Sequence, residues 1–121
     1  MAELTMKIWT EDECLFEELK ELGTEGEVIA QGARLCFRRG ERPESLGGGL
    51  PLVVEVALQL GTGVVASLVA DWIFNKLQGR TRIVRIGGTA VSTTEESRDK
   101  TLKIISGCIR ETASMGHAGR S

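Results

Sequence analysis

Histidine occurs once in this chain and tyrosine not at all, and only three cysteines, two prolines and 4% aromatic residues are present. These scarcities exclude a good deal of chemistry. Cys14, Cys36 and Cys108 are too far apart for the two-to-four-residue spacing of a zinc knuckle. A nucleophilic thiol needs a base beside it, usually histidine. The one histidine, His117, lies in a run of small residues near the C-terminal end. Each cysteine sits in an apolar-periodic segment, which predicts reduced core thiols and a cytoplasmic protein. Charge of one sign is also lacking. Fifteen basic against 17 acidic residues give −2, which disfavours a nucleic-acid binder. The first residues hold no basic stretch followed by an apolar run, since Glu3 and Lys7 interrupt it, so no secretory signal is expected. No metal or other cofactor is expected.

What is present suits one folded domain. At 121 residues, with 41% apolar and 26% charged residues, the chain has room for a single core. The boundaries expected are 3–111 for the domain and 112–121 for a flexible tail. Charge is segregated along the chain. Residues 1–27 hold two lysines against nine acids, whereas residues 34–42 and 80–103 each sum to +3. Two readings follow: complementary solvated faces of one domain, or head-to-tail association and a charged partner surface.

Leu4 to Trp9 alternates, predicting a strand with Leu4, Met6 and Ile8 on one face. Thr10 and Glu13 form a capping box for a helix to Leu22, stopped by Gly23. Thr24 to Glu27 reads as a polar loop. Residues 27–38 read as a second strand region broken at Gln31-Gly32. Glu41 to Gly49 reads as a loop, with Pro43 at one end and three glycines at the other. Gly87-Gly88 predicts a tight hairpin between strands at 81–86 and 89–93. Thr93 and Glu96 cap a last helix to Glu111, with Leu102, Ile105, Cys108 and Ile109 buried.

Residues 50–78 are the most apolar part. Helical spacing gives a broad apolar face, containing Val54, Ala57, Val64, Leu68 and Trp72, and a narrow stripe of polar or small residues. That stripe contains Glu55, Gln59, Gly63, Ala66 and Ala70. One long aliphatic helix is therefore expected, with a kink or close contact at Gly61-Thr62-Gly63. Its first 21 residues would span about 31 Å, enough for a bilayer. Glu55, Gln59 and Pro51 oppose insertion, and the flanking strand regions favour a buried helix of a soluble domain. The order is then β-α-β-α-β-β-α, an α/β (α+β) fold with a four-stranded mixed sheet and packed helices.

Among candidate sites, Gly47-Gly48-Gly49 lacks the Lys-Ser/Thr that would make it a phosphate loop. Gly61-x-Gly63, read as helical, is no dinucleotide fingerprint. Glu55 is the one carboxylate expected to be partly buried, paired with Arg38 or Arg82. Arg34, Arg38, Arg39, Arg80, Arg82 and Arg85 form a possible basic strip, with Phe37 and Trp72 nearest for stacking. The expected interaction residues are Glu55, Gln59, Gly63, Ala66, Ala70, Trp72, Arg38 and Arg82, with self-association through the Gly63, Ala66, Ala70 stripe.

Taken together, these features resemble the effector-associated constant component family. The shared pattern is a short first strand, an acidic capped helix, an Arg-rich strand and a Pro-containing loop with Leu46-Gly47-Gly48. A long aliphatic segment with Gly61, Gly63 and Trp72, an Arg-bearing strand, a Gly turn and a final helix complete it. The resemblance covers residues 3–111 and departs at the hairpin, where Gly87-Gly88 stands in place of a Pro-Asp-Gly type turn. It implies a non-enzymatic protein-binding adaptor of a bacterial conflict (antiviral defence) or signalling system. Its partner would be an effector such as a peptidase, or a second copy in a homo-oligomer. The alternative is a membrane-active or membrane-anchored protein that inserts residues 50–70 as a helix.

Overall fold

Alternation, not helical spacing, governs residues 52–60. Val54, Val56, Leu58 and Leu60 are buried on one side, while Val53, Glu55 and Gln59 are half-buried on the other. In the computed structural model, which describes residues 2–41 and 52–118, this segment is a strand, Leu52–Leu60. The long helix expected over residues 50–78 is thus corrected. Gly61 to Gly63 belong to a turn, and the helix spans only Ala66–Leu77. The cause is burial. The strand has neighbours on both edges, so even Ala57 on its second side is inaccessible. Such a strand reads as a near-continuous apolar run. Its β-branched Val53, Val54 and Val56 favour the extended form. No helix among the described residues is long and apolar enough to cross a membrane. The glycines at 47–49 and the loop containing Pro43 lie outside the described residues.

The elements are β1 (Ala2–Thr10), α1 (Glu13–Glu25), β2 (Val28–Ala30), β3 (Ala33–Glu41), β4 (Leu52–Leu60) and α2 (Ala66–Leu77). There follow β5 (Ile83–Ile86), β6 (Thr89–Val91), a 3-10 turn (Glu95–Ser97) and α3 (Arg98–Ala118). They make a mixed α+β fold with one six-stranded sheet, in the order β2-β3-β4-β1-β5-β6. Every pairing is antiparallel. The sheet has six strands where four were expected and is antiparallel throughout, not mixed, because each helical crossover skips a strand. β1 and β3 run parallel but β4 lies between them, and β4 and β5 run parallel with β1 between. Two split β-α-β units therefore interleave. The first strand and the Gly87-Gly88 hairpin stand where alternation and turn chemistry put them.

One core cluster joins one face of the sheet to all three helices. Leu4, Met6, Ile8, Leu35, Val54, Val56, Leu58, Val84 and Ile86 meet Leu15, Phe16 and Leu19 of α1. Val69 and Ile73 of α2 and Ile105 and Ile109 of α3 complete it. The helix ends differ from expectation. Asp12, not Thr10, caps α1, accepting the Leu15 N–H at 3.0 Å. Thr10 is buried, accepts the Asp12 N–H and donates to the Arg80 carbonyl. Gly23 lies inside α1, where a Cβ would meet the Phe37 backbone nitrogen at 2.4 Å. The left-handed stop is Gly26. The polar loop expected at Thr24 to Glu27 thus begins only after Glu25. At the other end the 3-10 turn precedes α3, with Thr94 rather than Thr93 in the cap position. α3 continues through residues 112–118, beyond the expected end at Glu111.

A half-buried ion cluster ties α1 to the loop after α2. Arg80 Nε donates to Asp12 Oδ2 at 2.8 Å and Nη2 to Glu18 Oε2 at 2.7 Å, and Lys76 also pairs with Glu18. The Arg80 side-chain hydrogen bond first, then the Leu15 backbone bond, hold the Asp12 carboxyl below its usual range. Lys76 and then Arg80 do the same to Glu18. The two carboxylates in turn raise the Arg80 pKa.

Candidate interaction surface

Since the core lies on one face of the sheet, the opposite face carries the alternate side chains, and no described element covers it. β1 contributes Glu3, Thr5, Lys7 and Trp9; β4 contributes Val53, Glu55, Ala57 and Gln59. β3 adds Arg34, Cys36 and, past a bulge between Phe37 and Arg39, Arg38, Arg39 and Glu41. β5 adds Ile83 and Arg85. Antiparallel sheets commonly leave one face to solvent. What differs here is the chemistry of that face.

Register sorts it into rows. Arg39 stands opposite Glu55, Glu55 opposite Lys7, and Lys7 opposite Arg85. One carboxylate thus serves a row with three cations. Arg39 Nε lies 3.4 Å from Glu55 Oε1, and Arg85 has no acidic partner among the described residues. The next row is apolar: Trp9 stands opposite Val53 on one side and Ile83 on the other, and Ile83 is 48% exposed. The Lys7 ammonium sits 5.2 Å from the centroid of the Trp9 ring, an attractive contact with the π face. Arg38 pairs with Glu3 across β4, and Arg34 Nη1 donates to the Gly26 carbonyl at 2.7 Å. Five cations against Glu3, Glu41 and Glu55 leave this face at +2.

On the other side of the molecule, α1 lies over β3 and β4 and turns Glu13, Glu17, Glu21 and Glu25 outward, with Lys20 beside them. That surface sums to −3. The segregation seen along the chain maps only in part onto the two sides of the sheet: Arg34, Arg38, Arg39 and Arg85 are on the uncovered face, whereas Arg80 joins the ion cluster and Arg98, Lys100 and Lys103 belong to α3 in the helix layer.

Of the interaction residues expected from sequence, the sheet brings together Glu55, Gln59 and Arg38. Glu55 is on a strand, not a helix, and its partner is Arg39, not Arg38 or Arg82. Cross-strand register decides this, and Arg82 lies 3.4 Å from Glu11 instead. Gly63 belongs to a turn, while Ala66 and Ala70 face the core at 8% and 0% exposure. They offer no small-residue stripe, and the association expected through them is corrected. Trp72 is half-buried on the helix layer, packed against the core. Arg80 is withdrawn into the ion cluster. The aromatic ring on the basic face is Trp9, not Phe37 or Trp72. Of the expected basic strip the face holds Arg34, Arg38, Arg39 and Arg85; Lys7, Trp9 and Ile83 join them unexpectedly, although the same alternation that assigns Leu4, Met6 and Ile8 to the core sends Lys7 and Trp9 the other way.

The cysteines are free, and only Cys108 packs against the core, partly buried; Cys14 is exposed and Cys36 is half-buried on the outer sheet face. Burial first, then the nearby Glu111, push the Cys108 thiol up, so it is a weak nucleophile at neutral pH. Among the described residues no group of three His, Cys, Asp or Glu side chains stands together as metal ligands. No family model matches the chain, and no curated protein or solved structure matches it.

Proposed function

We propose that the chain is a non-enzymatic protein-binding module, an adaptor that couples an effector in a bacterial conflict or signalling system. Its uncovered sheet face is the docking surface. The observation that carries the reading is the paired rows on that face, Val53–Trp9–Ile83 beside Arg39–Glu55–Lys7–Arg85. An aromatic anchor flanked by aliphatic side chains and arginines is the composition enriched at protein interfaces. The cations select an acidic partner and exclude a basic one. Three unpaired thiols suit a reducing cytoplasm.

The test is co-purification of the product of each gene neighbouring this chain's gene with the wild type, Trp9→Ser and Arg85→Glu. Capture by the wild type and its loss in variants that melt like the wild type is the expected result. Capture unchanged in both variants would move the docking surface elsewhere and refute the reading.

A further inference from the structure

In the cation row, Lys7 of β1 and Arg85 of β5 stand directly opposite each other. Like charges in that position destabilise a sheet. Neither forms an ion pair among the described residues. Glu55, directly opposite Lys7 on its other side, is turned to Arg39 instead. A pair that weakens the fold where it stands is characteristic of a surface shaped for binding. Two residues along the same strands, about 6.8 Å away, Trp9 and Ile83 stand opposite each other and leave apolar surface open. We infer that the partner docks with an acidic amphipathic helix. One of its carboxylates sits between Lys7 and Arg85, and a large apolar side chain one turn away packs on Trp9 and Ile83. This inference rests on the sheet face being the docking surface, and it names what the partner presents there.

The sheet itself selects a helix. Backbone N–H and C=O groups of β1, β4 and β5 lie in the plane of the sheet, between paired strands. The face therefore offers a visiting backbone nothing, and its occupant must satisfy its own polar groups. A helix does so, and at about 10 Å across it fits along β1 over the about 9.6 Å between β4 and β5. Its side chains at i and i+4 stand about 6 Å apart on one face, close to the step from Lys7 to Trp9. The lack of free N–H groups also favours a carboxylate over a phosphate group, which backbone N–H groups commonly cradle. Nucleic acid fits less well: Glu3 and Glu55 stand among the cations, and Trp9 is the one aromatic ring on this face among the described residues. Arg39 is a positioning residue. Its Nε lies 3.4 Å from Glu55 Oε1 and keeps that carboxylate from closing on Lys7 across the strand pair. Without Arg39, Glu55 itself would fill the seat.

The probe is a displayed library of alanine- and glutamine-based helical peptides of about 16 residues, randomised along one face and selected on the immobilised full chain. Selection is expected to enrich Asp or Glu one turn from Trp, Phe, Leu or Met. Titration calorimetry with an enriched peptide then reads the seat. Arg85→Gln and Lys7→Gln are each expected to weaken binding about fivefold without lowering Tm, and Trp9→Ser more than about tenfold. Arg39→Ala is expected to weaken it as well, and adding Glu55→Gln to that variant to restore it. A selection that enriches no acid–apolar pair overturns the inference, as does an acidic peptide whose affinity survives both Arg85→Gln and Lys7→Gln. A loss in Arg39→Ala that Glu55→Gln does not restore places the carboxylate on Arg39 and overturns the seat. A labelled single-stranded oligonucleotide that binds more tightly than any enriched peptide, and is lost in Arg85→Gln, gives the face to nucleic acid and likewise overturns it. Co-purification lost in Trp9→Ser beside enriched peptides that lack an acid refutes the acidic helix alone. Co-purification unchanged in Trp9→Ser and Arg85→Glu refutes the docking face itself.

Discussion

Replacing Arg80 with alanine removes the side chain that joins the start of α1 to the loop after α2. It deletes two charge-assisted hydrogen bonds, at 2.8 Å to Asp12 and 2.7 Å to Glu18. Fully buried bonds of this kind contribute about 1.5–3 kcal/mol each. These three side chains are 29%, 32% and 39% exposed, so solvent screens them toward the surface value of about 1 kcal/mol or less per pair. Asp12 keeps its cap bond to Leu15, Glu18 keeps Lys76, and the Thr10 bond survives because it reaches the backbone of residue 80. The expected loss is therefore about 1–2 kcal/mol, or about 4–8 °C in Tm for a chain of this length. The pH dependence has a definite sign. Asp12 and Glu18 have folded pKa values below their unfolded ones, so their stabilisation is fully present above the unfolded values of 3.8 and 4.5. It disappears as pH falls through the lower folded values. Urea denaturation of wild type, Arg80→Ala, Asp12→Asn and the double variant at pH 7, repeated in acid, measures this. A gap between wild type and Arg80→Ala that persists undiminished in acid, or additive effects of the two substitutions at pH 7, would refute the account.

Gly23→Ala is expected to cost about 1–3 kcal/mol or more, since the new Cβ would overlap the backbone of Phe37; thermal unfolding by circular dichroism reads it. Gly26→Ala places a side chain in a left-handed conformation and is expected to cost about 1 kcal/mol in the same assay. Glu55→Gln breaks a pair with an arginine that is 65% exposed and is expected to cost under about 1 kcal/mol in a urea melt. Cys14 is exposed, whereas Cys108 is half-buried with a raised thiol pKa. Iodoacetamide at neutral pH should therefore label Cys14 well before Cys108, as mass spectrometry of tryptic peptides would show.

Period and turn chemistry made the ends of the molecule legible. Leu4, Met6 and Ile8, the Leu15–Leu19 pair and the Gly87-Gly88 turn stand where local pattern put them. The centre was misread because β4 has neighbours on both edges, and tertiary burial erased the polar half of its alternation. With Ala57 inaccessible and Val53 half-buried, only Glu55 and Gln59 marked its second face, and their spacing of four fits a helix as well. That single error carried the site with it. Once residues 52–60 are taken as helix, Ala66 and Ala70 fall on an apparent outer stripe, and Lys7, Trp9 and Arg85 have no common surface to belong to. Charge segregation was visible from the start, but which side of the sheet each segment occupies depends on topology.

The interleaved crossovers set a timetable for synthesis. β1 is made before either neighbour it must bond, for Ala2 pairs with Leu60 and Met6 with Ile86. At about 5–20 residues per second, β1 waits several seconds for β4 and longer for β5, with both edges bare. Glu3 and Lys7, which serve the outer face once the chain is folded, interrupt the apolar residues of β1 during that interval. Charges at such positions disfavour edge-to-edge pairing of a bare strand with another copy of itself.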